Sequence, residues 1–177
     1  MFSTLPETFF KLRYLLVLII TNYFKLGYAN ILSELVFYSQ NNLSSIRSKD
    51  TFESFSKNEK LAYWINAYNA FTIKLIIDNL PLKSIKDING PWNHRFINIG
   101  EKWFTLNDVE HRIIRKMDEP RIHFAIVCAS HSCPNLLNRA FYALNLNEQL
   151  TQVTEDFLLD NTKNEITPNT LKLSKIF

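Results

Sequence analysis

Four side chains able to do chemistry fall within eleven residues of this sequence: His123, Cys128, His131 and Cys133, in the stretch HFAIVCASHSCPNLL. Three chemistries use such residues. Metal ligation fits worst. A strand points successive side chains to opposite faces, so His123 and Cys128, five apart, face away from each other. The spacing also lacks the two separated ligand pairs of a structural zinc site. No metal and no cofactor is expected. A disulfide needs Cα atoms about 4.4–6.8 Å apart, which a tight turn between Cys128 and Cys133 provides. It also needs an oxidising compartment. The third chemistry is an activated thiol. Pro134 favours the first position of a helix, which makes Cys133 the N-cap. Cysteine is a poor capping residue, but the helix dipole and free N–H groups there lower a thiol's pKa. The same N–H groups could hold an oxyanion. A thiol nucleophile wants a base, and His123, His131 and His111 are the candidates.

Elements must position these groups. The strongest helix signal is SKNEKLAYWINAYNAFTIKLIIDNLP. Ser56 and Glu59 form a capping box, and Pro81 supplies the stop. Leu61, Trp64, Ile65, Tyr68, Phe71, Leu75 and Ile76 make one apolar stripe, and further apolar residues fill most of the remaining circumference. A helix apolar nearly all round is buried in the core. Asn66 and Asn69 share one face of it. As buried amides they either tie down neighbouring backbone or line a site.

Asn89-Gly90-Pro91 marks a turn. RFINIGEKWFTL alternates around Gly100-Glu101, which reads as a hairpin. TLNDVEHRIIRKM follows as a short helix, capped by Thr105 with Asp108 or Asn107 with Glu110, and ended by Pro120. The apolar run RIHFAIVCA reads as a buried strand carrying His123. CPNLLNRAFYALNLNEQLTQVTEDFLLDN is expected to be helical, and a terminal hairpin turns at Pro168-Asn169. Helices and strands without regular alternation give an α+β fold: one domain with a buried central helix on a small mixed or antiparallel sheet.

The bulk numbers agree with a single core. The chain has 177 residues, 46% of them hydrophobic, with 14 Phe, 7 Tyr and 3 Trp. That aromatic content supplies a large buried area. A net charge of +3, evenly spread, argues against nucleic acid as a partner. At the N-terminus, Lys11 and Arg13 precede the apolar run YLLVLII, and Gly27 and Ala29 stand where a signal peptidase reads small residues. The run is shorter than a spanning helix needs. Residues 1–29 are therefore expected to be a signal peptide or an N-terminal membrane anchor, and 30–50 a variable helix and linker.

WINAYNAFTIKLI, LNDVEHRIIR, PRIHFAIVCASHSCPNL and LSKIF together resemble domain-of-unknown-function family 547, from about Phe52 to Phe177. The resemblance implies an exported protein, and distant kinship to papain-like and transglutaminase-like thiol enzymes. The family's recurring polar positions fall on Asn66, Asn69, Glu110, His111, His123, Cys128, Ser132, Cys133 and Pro134. Members continue past LSKIF with a further helix, so a shortened copy is expected here.

Two functions emerge. In the first, an exported α+β domain performs acyl transfer or amide hydrolysis. Cys133 is the nucleophile and His123 its base. His111 and Glu110 take an acid-base or orienting role, and Asn66, Asn69, Cys128 and Ser132 support the pocket. In the second, the domain binds a protein or peptide without catalysis, and Cys128 and Cys133 form a structural pair.

Overall fold

The computed structural model describes residues 52–79, 81–99 and 102–177. The expected signal peptide or anchor and the linker to residue 50 lie outside the described residues. Among the described residues, no helix is long and apolar enough to cross a membrane.

The capped apolar segment forms helix α1, Lys57–Asp78. Its cap is reciprocal: the Ser56 N–H donates to Glu59 Oε2 at 2.8 Å, and the Glu59 N–H donates to Ser56 Oγ at 3.3 Å. These bonds satisfy two donors that a helix start otherwise leaves open. The all-round apolar pattern has the expected consequence, because every residue from Leu61 to Ala70 is buried. Phe52, Tyr63, Trp64 and Phe104 stack edge to face around the first turns, with ring centroids 5.2–5.9 Å apart.

The first hairpin forms as the Gly100-Glu101 signal predicts. Strand β1 (Ile97–Ile99) pairs antiparallel with β2 (Lys102–Phe104), Ile99 opposite Lys102. Thr105 and Asp108 then make the first of the two expected cap pairs: Thr105 N–H to Asp108 Oδ2 at 3.0 Å, Asp108 N–H to Thr105 Oγ1 at 2.9 Å. A π-helical stretch, Asp108–Ile113, runs into a 3-10 turn, Ile114–Met117. Asp118 in the left-handed region (φ 51°) closes it. The short helix α2 is Ile122–Ala125, and α3 is Leu146–Leu158, entered through a 3-10 turn at Ala143–Asn145. Strands β3 (Glu165–Thr167) and β4 (Thr170–Lys172) make the terminal hairpin. Phe177 then returns against Phe124 and Phe157.

The class is α+β, as expected, and all strand pairing is antiparallel. Three finer expectations are corrected. The central helix does not lie on one sheet. The strands form two separate hairpins, and α1 packs chiefly on the π-helical stretch and the turns around it. RIHFAIVCA is not a strand: its first half is α2, and Ile126 to Cys128 is extended without joining a ladder. A continuous apolar run fits a buried helix as well as a strand, and Pro120 opens the new turn as readily as it ends the old one. Finally, no helix starts at Pro134. Residues 134–142 are irregular.

Irregular backbone inside a core must still find hydrogen bonds. Four buried amide side chains supply them. Asn66 donates to the Phe141 carbonyl at 2.8 Å and accepts the Phe141 N–H at 2.9 Å. Asn69 does the same for the Ala125 carbonyl and the Val127 N–H, both at 2.9 Å. Gln149 on α3 serves the Ala140 carbonyl and the Tyr142 N–H. Asn164 serves the Phe157 carbonyl and the Ser174 N–H.

Asn69→Leu keeps the branched heavy-atom skeleton and leaves the Ala125 carbonyl and the Val127 N–H buried without partners. The expected loss is about 2–5 kcal/mol, since each orphaned group costs roughly 1–3 kcal/mol. It should appear as a lower urea midpoint at unchanged slope. Gln152→Ala, on the exposed face of α3, should move the midpoint little. Equal midpoints for Asn69→Leu and the parent would show that the amide bonds carry no net stability.

Candidate functional site

The polar groups of this domain gather where the π-helical stretch meets α1. In a regular helix, Glu110 and Arg115, five apart, stand about 140° apart around the axis and do not meet. The widened turn brings them together. Arg115 Nη2 donates to Glu110 Oε1 at 2.9 Å, and Nε approaches the same oxygen at 3.3 Å. The other carboxylate oxygen, Oε2, accepts the Tyr68 hydroxyl from α1 at 3.1 Å. Wide helical turns have poorer packing along their axis and are common at functional sites. Here the turn has an identifiable result: a carboxylate held on both oxygens, at the edge of the core.

One imidazole borders that carboxylate, and a second feels its charge. His111, about half exposed, has Nε2 4.0 Å from Glu110 Oε1. His123, half-buried on α2, is held below its ordinary pKa, first by loss of solvent and then by the positive Arg115, with Glu110 opposing. Burial, and then the Glu110 charge, push the Tyr68 phenol well above its usual range. Tyr68 therefore stays a neutral donor. Each oxygen of Glu110 accepts a hydrogen bond, and the lowered pKa of His123 favours its neutral imidazole.

The cysteines do something else. Cys128 and Cys133 are joined as a disulfide, with Cα atoms 6.0 Å apart. This corrects the expectation of a free thiolate at Cys133, and the helix that was to lower its pKa is absent. Among the described residues, no hydrogen bond links either sulfur to an imidazole. Cys133 is buried, and its N–H closes a turn onto the Ser130 carbonyl at 3.0 Å. Ser132 contributes its carbonyl, which accepts the Ser174 hydroxyl at 2.7 Å and ties the C-terminal segment to the cysteine loop.

Of the residues singled out in the sequence, Glu110, His111 and His123 come together, while Cys128 and Cys133 bond to each other. Asn66 and Asn69 bond backbone with both ends of their amides. His131 is exposed on the cysteine loop. Two members of the cluster escaped the sequence reading. Tyr68 was placed in an apolar stripe, yet a buried tyrosine needs a partner for its hydroxyl, and that requirement was the available signal. Arg115 escaped because its spacing from Glu110 fits no regular helix.

His123 makes stability depend on pH. Its folded pKa lies below the unfolded value of about 6.5, so the unfolded chain binds the proton first. The contribution is complete above the unfolded pKa and is lost as pH falls through it toward the lower folded value. His123→Gln should therefore flatten the acid limb of a plot of unfolding free energy against pH. An unchanged slope in the variant would exclude a neutral, desolvated imidazole.

A family model described as a protein of unknown function, DUF547, matches residues 52–158. That span includes α1, the π-helical stretch, both cysteines and α3, and stops short of the LSKIF segment. No curated protein and no solved structure matches. With more than half of its length matched, the chain belongs to the DUF547 family of proteins of unknown function.

Proposed function

We propose that this domain is a non-catalytic binding module of an oxidising compartment, with Cys128–Cys133 as a structural staple and a protein or peptide as its partner. The single observation that carries the reading is the bond between the two sulfurs. A bridged sulfur is not a nucleophile, because thiol chemistry runs through the free thiolate. The competing reading, a thiol enzyme for acyl transfer or amide hydrolysis, needs Cys133 reduced, ionised and served by a base. The disulfide opposes the first condition, and the irregular backbone after Pro134 removes the support for the second. The export signals at the N-terminus agree with a disulfide, since such bonds persist outside reducing compartments.

The staple also suits its surroundings. It closes the loop between Val127, clamped by Asn69, and Ser132, whose carbonyl holds Ser174. Cross-linking so short a loop contributes about 2 kcal/mol in the chain-entropy treatment.

Alkylation of the native protein below neutral pH tests the reading. Both cysteines should stay unmodified until a dithiol reductant is added, and the intact mass should fall short of the reduced chain by two hydrogens. The paired substitution Cys128→Ser, Cys133→Ser should lower stability by about 2 kcal/mol. Rapid modification of Cys133 alone, without reductant, would restore the thiol enzyme and end the structural assignment.

A further inference from the structure

We propose that the rim of the Glu110 cluster, formed by His111, Arg115 and His123, is an oxyanion-binding site, taking the carboxylate or phosphate group of the partner. The inference rests on the binding-module reading and names the chemistry of the ligand.

The first argument is preorganisation. Arg115 is pinned by Glu110, which is itself pinned by Tyr68 from the buried helix. The guanidinium spends Nε and Nη2 on that carboxylate and leaves Nη1 uncommitted, on a side chain that is 43% exposed. A planar guanidinium held in one orientation suits carboxylate or phosphate oxygens, and holding it in advance lowers the entropy cost of binding.

The second argument is charge. Glu110 offsets Arg115, and Asp108 offsets the exposed Arg112 at 3.1 Å. Glu110 is also the carboxylate nearest His111, at 4.0 Å, and no ion pair of His123 or of the exposed Lys116 is present among the described residues. The groups facing His123 are Arg115, His111 and Glu110, and Tyr68 on α1 reaches the same carboxylate as a neutral hydroxyl.

The third argument is the backbone. The π-helical stretch is the irregular element that sets the Glu110–Arg115 pair, and it carries His111 as well. The widened turn buries Val109 and Ile114, also five apart, on one side and makes the Glu110–Arg115 pair on another.

Ring resonances of the histidines provide the test. Acetate and inorganic phosphate are titrated in separate arms at constant ionic strength, at pH about 6 and about 8, on either side of the imidazole range. The expected result is saturable shifts of the His111 and His123 rings in at least one arm. Saturation by phosphate alone identifies a phosphate group, and saturation by acetate identifies a carboxylate. Arg115→Gln should weaken the binding roughly ten-fold, as expected for loss of a charge-assisted contact. Because Arg115 also braces Glu110, His111→Gln serves as a second variant that leaves the Tyr68–Glu110–Arg115 chain intact, and it should weaken binding as well. Arg112→Gln should not. Linear shifts without saturation, or equal affinity in parent, Arg115→Gln and His111→Gln, would overturn the site. Thiol labelling decides the binding-module reading separately, so the two failures are distinguishable.

Discussion

The fold depends on main-chain hydrogen bonds supplied by side chains. Most small α+β domains satisfy buried backbone through a sheet ladder. Here the two hairpins have three residues per strand and leave long stretches of core backbone outside any ladder. A buried N–H or carbonyl without a partner costs as much as several methylenes of burial recover. Asn66, Asn69, Gln149 and Asn164 resolve the problem in one way. Each amide offers a donor and an acceptor and so imitates a peptide unit of a neighbouring strand. Two of the four project from α1, which explains why a helix otherwise apolar on nearly every side carries asparagines three residues apart.

The same constraint shapes the polar cluster. Tyr68 sits one residue before Asn69 on α1, with only 1% of its surface exposed, so its hydroxyl too must be answered. Glu110 answers it, and a charged acceptor is a stronger partner than a neutral one. Bringing a carboxylate to the core's edge then demands compensation for lost solvent, which Arg115 provides. The π-helical turn follows from these requirements in sequence: Thr105 and Asp108 fix its start, Val109 and Ile114 fix its buried side, and the extra width puts Glu110 and Arg115 within reach of each other. What is left facing solvent is a guanidinium held in place and two imidazoles.

Much of this was legible in the sequence, and the illegible part has a physical cause. The capping boxes at Ser56 and Thr105, the burial of α1, and both hairpins follow from local rules, and the structure has them. The segment 121–142 does not follow such rules. Its conformation is set by amides 7 to 75 residues distant, from Gln149 to Asn66. A local pattern reads RIHFAIVCA as a strand because the residues are apolar and branched. The structure instead winds Ile122–Ala125 and lets Asn69 bond the backbone that follows. Likewise Pro134 is a valid helix-starting signal, but the Phe141 backbone is taken by Asn66 and the Ala140 and Tyr142 backbone by Gln149. Tertiary hydrogen bonds override the propensity of the segment they reach. For the site, residue types were legible for Glu110, His111 and His123, whereas the partners that hold them were not.

The cysteines belong to the same logic as the amides. Between Val127, held by Asn69, and Ser132, held by Ser174, the chain must reverse without helix or strand. A covalent bond across that reversal does with sulfur what the amides do with hydrogen bonds elsewhere: it fixes irregular backbone at a point no ladder reaches. The residues whose types most suggest catalysis are thereby absorbed into architecture. The groups left with unspent polarity are Arg115 and His111, before α2 in sequence, and His123 on α2 itself. The sulfurs and amides are committed to the fold's own backbone, and the Glu110 cluster holds charge in position at its edge.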